Sequence, residues 1–247
     1  DIASMTFIIQ ITVDPHIDSN DHWCALGTNS TDEYTRYAGV QPGLKAILVG
    51  GDNDQFILSP KSSQTGVDTD TQNISPWRNV NFYSQYQTEL NVAITTDSNI
   101  TNTAIWAGMK ITNVGTYATD ADQAYFLYAT DDDLGALTTN ANLHFIYSIS
   151  GTDYITDLGI AVQSSTVYRL KLSFDENRKI SVFVNGVQYG LVTSATAGGA
   201  TQAVATTKSL ATTSGAAILP FVAIQALSTV SRSLFCQFIK ISRTLEA

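Results

Sequence analysis

The chain has 247 residues, 44% of them hydrophobic and only 14% charged, with a formal net charge of −9. It is too apolar for a disordered chain and too acidic to grip phosphates through clustered Lys and Arg, so nucleic acid is not an expected partner. No apolar run approaches the roughly 20 residues of a membrane-spanning helix. The two cysteines, Cys24 and Cys236, leave room for one bridge and no disulfide framework.

Strand-like segments run through almost the whole chain: Met5 to Val13, Leu44 to Val49, Val80 to Thr95, Ala104 to Thr112, Ala124 to Thr130, Leu143 to Ser148 and Tyr154 to Leu158. The opening MTFIIQITV alternates with polar residues and is too short to be an anchor, so neither a membrane anchor nor a signal peptide is expected. Alternation from Val80 to Ile94 predicts one long strand, bent or bulged on the way. Tyr168 to Gly190, YRLKLSFDENRKISVFVNGVQYG, predicts a three-stranded antiparallel meander. Its even-numbered apolar residues give one strand, Asp175 to Lys179 a turn, and Asn185-Gly186 a type I′ hairpin that sets Val182 opposite Tyr189 and Ile180 opposite Leu191.

Thr193 to Gly215 is rich in Ala, Thr, Gly and Ser and reads as a long loop, either a crossover on the surface or a subunit contact. Ile218 to Leu227 and Leu234 to Ser242 are apolar on both faces in part, as for central strands covered on both sides or lying beside a subunit contact. Helical periodicity is nearly absent. The fold class is therefore all-β, a two-sheet antiparallel sandwich. A single domain over 1–247 is expected, with 1–76 less regular and readable as an arm or small subdomain.

Catalytic patterns are missing. A glucanase-type sandwich sets Glu, Asp and Glu at alternate positions of one strand, because one carboxyl group protonates the leaving oxygen while another attacks or activates water. The glutamates here, Glu33, Glu89, Glu176 and Glu246, have no such setting, and Asp120 and Asp122 alternate without a following glutamate. No GxSxG elbow, HExxH, P-loop or dinucleotide fingerprint occurs, so enzymatic activity is not expected.

The run Asp131, Asp132 and Asp133 offers hard oxygen ligands for Ca²⁺, but three adjacent side chains point different ways and a solvated turn is the favoured reading. Asp68 and Asp70 form a weaker candidate of the same kind. His16, His22 and Cys24 match no common zinc spacing. No cofactor is expected.

Sugar recognition calls for an exposed ring flanked by amides or carboxylates, since sugar C–H faces stack on rings and hydroxyls need directional partners. Trp23, Trp77, Trp106, Tyr125 and Tyr128 are the candidates. Trp106 faces opposite to Ile105, Ala107 and Met109, Tyr128 opposite to Tyr125 and Leu127, and Phe183 opposite to Val182 and Val184. Packing under a covering loop is the competing and commoner fate of such residues.

The meander, together with WAGMKIT, ATDADQAYFLYATDDD, LHFIYSISGTDYITDLG and ILPFVAIQALSTVSRSLFCQFIKISRT, resembles the concanavalin A-like or laminin-G-like jelly-roll domains of tailed-bacteriophage structural proteins. The likeness covers Val80 to Thr244. It implies a jelly-roll fold and a non-enzymatic role at the phage particle surface, as a head decoration, knob or fibre component. It also implies adhesion to other virion proteins and to further copies of the chain in a homo-oligomer. A lectin-like module for host-surface glycans is the alternative.

Overall fold

The computed structural model describes residues 82–111, 120–130, 137, 141–195, 201, 204–229 and 231–244 with their side chains, and the backbone alone of 7–12, 23–27, 34–36, 45–49, 55–60, 200 and 245. The strands are β1 (Phe7–Thr12), β2 (Trp23–Gly27), β3 (Tyr34–Arg36), β4 (Lys45–Val49), β5 (Gln55–Pro60), β6 (Glu89–Thr96), β7 (Thr103–Lys110) and β8 (Gln123–Ala129). They continue with β9 (Asn142–Ile149), β10 (Thr152–Ala161), β11 (Val167–Phe174), β12 (Ile180–Val184), β13 (Val187–Tyr189), β14 (Ala200–Thr201), β15 (Leu219–Ala226) and β16 (Arg232–Leu245).

They form a two-sheet jelly-roll sandwich. Sheet A runs β13-β12-β11-β6-β16-β4-β3 with β1 also paired to β16; sheet B runs β14-β10-β9-β8-β7-β15-β5-β2. Pairing is antiparallel except for the short β10–β14 contact. The five N-terminal strands enter both sheets, although the sequence between Val13 and Leu44 carried no strand pattern. Cys24 and Cys236 belong to strands of opposite sheets.

The core lies between the sheets. Tyr168, Leu170, Leu172 and Phe174 of β11 face Ile105, Ala107, Met109, Phe126 and Tyr128 of sheet B across it. The predicted meander is present: Leu170 pairs with Val184, Phe174 with Ile180, and Val182 with Tyr189. Asn185 and Gly186 take positive φ, 51° and 84°, as a type I′ turn requires. The register stops at Tyr189, so Leu191 does not pair with Ile180. Instead the Leu191 amide donates to the Thr207 carbonyl, and the Ile180 amide donates to Ser209 Oγ at 2.7 Å. The segment after β13 thus returns along the outer edge of β12, where the Thr212 amide also donates to the Arg178 carbonyl.

The single long strand predicted from Val80 does not form. Ser84–Tyr86 is a 3₁₀ turn, closed by the Tyr86 amide donating to Tyr83 O and followed by Gln87 at φ 49°. Phe82 still reaches the core, which is how the apolar alternation survived a break in the strand.

The strand β16 carries the feature that matters most for the surface. Leu234 and Cys236 point inward, and so do Ile239 and Ile241, which is one residue out of phase. A bulge between Cys236 and Phe238 in the pairing with β6 absorbs the slip. Both apolar sets then reach the core, and Phe235 and Phe238 are left half-buried on the outer face. The doubly apolar look of LFCQFIKIS comes from this bulge and not from cover on both sides. In β15, by contrast, every residue is buried.

Candidate binding groove

The outer face of sheet A is a regular array. One row across the sheet holds Phe183, Lys171, Asn91 and Lys240; the next holds Arg169, Ala93 and Phe238. The alternation that sends Leu170, Leu172 and Val182 into the core puts these side chains outside. Between them lies a cavity of about 330 Å³ lined by Asn91, Arg169, Lys171, Phe183, Gly186 and Phe238, with Val92 and Leu170 beneath. Ala93 contributes only a methyl group to its row, and Gly186 has no side chain to close the hairpin end. The hollow therefore has an aromatic ring on each side, one from β12 and one from the bulge in β16.

Its polar groups are ordered. Lys171 Nζ stands 5.5 Å from the Phe183 ring centroid and 2.7 Å from Glu89 Oε2, and Asn91 Nδ2 donates to Glu89 Oε1 at 2.8 Å. Partial burial alone would raise the Glu89 pKa. The hydrogen bonds from Lys171 and Asn91 and the charges of Lys171 and Lys240 outweigh it and hold the carboxyl below its ordinary range. Arg169 is exposed. Its main chain is tied to the hairpin, its amide donating to Asn185 Oδ1 at 2.9 Å and its carbonyl accepting from the Asn185 amide. Among the described residues its guanidinium has no ion-pair partner.

The residues chosen from the sequence as sugar platforms lie elsewhere. Trp106 and Tyr125 do face away from the main core, on the outer face of sheet B, but that face is sealed. Trp106 is 1% exposed and packs with Tyr125, Leu127, Leu137, Ile146 and Phe221 in a second apolar cluster. Tyr125 and Phe221 meet edge to face at 6.0 Å over Gly108, which sits between them in the register. A Cβ at Gly108 would overlap the backbone of Ala124 and Tyr125. Tyr128 points into the core, where its hydroxyl donates to Ile100 O at 3.2 Å; burial, aided by Tyr168, pushes its pKa up to about 12. These three rings are corrected from open platforms to packing residues, because large apolar rings on a covered face are worth more buried than wet.

Trp23 lies on edge strand β2 with its side chain outside the described residues. Trp77, Asp131, Asp132, Asp133, Asp68, Asp70, His16 and His22 are also outside them. Among the described residues no three His, Cys, Asp or Glu side chains gather as a metal site, and no helix is long and apolar enough to cross a membrane.

The sealed face also carries polar groups that sequence reading passed over. His144, fully buried, donates from Nδ1 to the Asn142 carbonyl at 3.0 Å, and its Nε2 has no hydrogen-bond partner among the described residues. Lys110 Nζ is likewise without one and lies 5.4 Å from the Phe221 ring centroid. Burial pulls both pKa values down, against the opposing charges of Asp157 and Asp120 respectively.

No family model matches the sequence, and no curated protein matches it. Solved structures do. A protein of unknown function from Shewanella oneidensis MR-1 is 14% identical, with a TM-score of 0.55 over 99% of this chain and 89% of its own. A Crh5 transglycosylase in complex with NAG is 10% identical, with a TM-score of 0.54 over 96% and 85%. A variant of the Emp46p carbohydrate recognition domain is 10% identical, with a TM-score of 0.50 over 89% and 87%. At such identities the likeness is one of fold: the chain has a two-sheet jelly-roll sandwich.

Proposed function

We propose that the chain is a non-enzymatic adhesion module that holds a saccharide in the outer groove of sheet A. The observation that carries this reading is the cavity of about 330 Å³ between Phe183 and Phe238, with the Asn91 amide and the Arg169 and Lys171 cations at its sides. Its volume is at the small end of ligand sites, roughly 300–1,000 Å³. Rings that stack on sugar C–H faces, flanked by directional donors, are the combination saccharides need. Two proteins that share the fold, the transglycosylase bound to NAG and the carbohydrate recognition domain, are consistent with it, although fold alone does not transfer function.

The resemblance to phage jelly-roll domains adds a setting. The module is displayed on the virion surface in several copies, where weak single grooves gain from avidity. A glycan array with the purified chain tests the binding. Saturable binding is expected, lost in Phe183→Ala and Phe238→Ala variants that keep the fold, and silence across a broad array overturns the saccharide reading. Immunogold microscopy of intact particles tests the setting, with label on head, tail or fibre expected and none on well-probed particles counting against it.

A further inference from the structure

We infer that the groove is selective for acidic saccharides, taking a uronic acid residue whose carboxylate is read by Arg169. This rests on the saccharide reading of the groove and goes further by naming the ligand class. The chain as a whole carries −9, so it repels polyanions in general and needs a local reason to bind one. The groove supplies that reason. Arg169 and Lys171 on β11 and Lys240 on β16 flank β6 on one face, with Glu89 of β6 the carboxylate set among them. Glu89 is already committed to Lys171 and Asn91, which neutralises one cation and leaves Arg169 exposed at the mouth of the cavity, with no ion pair among the described residues.

A guanidinium offers two parallel N–H donors that match the two oxygens of a carboxylate, a fit that a lysine ammonium does not reproduce. With Phe183 and Phe238 fixing the ring plane, Arg169, which shares the row of Phe238 and borders the row of Phe183, is placed to take a substituent at the ring edge. Its side chain has no part in holding the hairpin, because both bonds to Asn185 run through its own main chain. Substitution there therefore tests recognition apart from folding.

The experiment is calorimetric titration of the full chain with a trigalacturonate oligomer, the matching neutral galactose oligomer and a sulfated galactose oligomer, in low and in moderate salt. Tightest binding to the uronate is expected. Arg169→Gln should weaken it about ten- to hundredfold, Arg169→Lys should recover only part, and thermal melting should be unchanged in both. Equal or better binding of the neutral oligomer overturns the acidic selectivity while leaving the saccharide groove standing. Tighter binding of the sulfated oligomer overturns the carboxylate assignment. Failure of all three to bind overturns this inference, and with a silent glycan array the saccharide reading falls too.

Discussion

The outer faces of the two sheets carry similar residue types put to opposite uses. On sheet B, Trp106, Tyr125, Phe221 and Lys110 are sealed, and the rings pack against one another. On sheet A, Phe183, Phe238, Arg169 and Lys171 stand around an open hollow. Aromatic and cationic residues do not make a binding surface by themselves; what matters is whether anything lies over them. The comparison breaks if truncating a ring has the same effect on both faces. Trp106→Ala should cost about 3–5 kcal/mol of stability, as for a large ring removed from a packed interior, while Phe183→Ala should cost about 1 kcal/mol or less and act on binding instead. Denaturant melts of the two variants beside the wild type decide it.

A smaller effect follows from the polar groups trapped on the sealed face. His144 has its pKa lowered by burial below 6.5, despite the nearby Asp157 charge and the Asn142 carbonyl. The unfolded chain therefore binds its proton at higher pH than the folded one does. Stability is at its full value above 6.5 and falls as pH drops from 6.5 toward the lower folded pKa. His144→Gln, which cannot take up the proton, should flatten the slope of stability in that window. Lys110 follows the same sign at the alkaline end: its pKa is lowered from 10.5, so stability rises with pH up to 10.5, and Lys110→Met should remove the rise. No such dependence is expected for Arg169→Gln on the open face, and melts across pH sharpen the contrast.

Much of the fold was legible in the sequence because period-two alternation reports directly which face of a strand is buried. The meander from Tyr168 to Tyr189 came out in register, and Trp106 and Ile105, like Tyr125 and Tyr128, were set on opposite faces of their strands, as they are. Alternation cannot report what covers an outer face, since the cover comes from residues distant in sequence. Trp106 and Phe183 looked equally outward, and only the three-dimensional packing separates them.

The groove was half visible. Phe183 was marked as outward, but Phe238 was hidden by the bulge, which makes an outward ring look like part of a continuous apolar run. The phase slip from Leu234 and Cys236 to Ile239 and Ile241 was the available signal. The break at Gln87 was missed for the converse reason: Phe82 and Leu90 both reach the core, on either side of a turn that apolar spacing does not record.

The smallest predicted effect probes the groove's internal balance. Glu89 holds Lys171 at 2.7 Å, and both side chains are about a third exposed, 31% and 37%, so the pair contributes well under about 1 kcal/mol in water and salt. Because the Glu89 pKa is held below 4.5, this contribution is present at neutral pH and is lost only as pH falls through the lowered value. Glu89→Gln keeps one of the two acceptor oxygens that Lys171 and Asn91 use and removes the negative charge. Stability should change little, while affinity for a uronate oligomer should rise about two- to fivefold as Lys171 becomes available to it. Titration at neutral pH measures this directly. An unchanged affinity would mean that Lys171 stays over the Phe183 ring whatever its partner does, and that selectivity at this face rests on Arg169 alone.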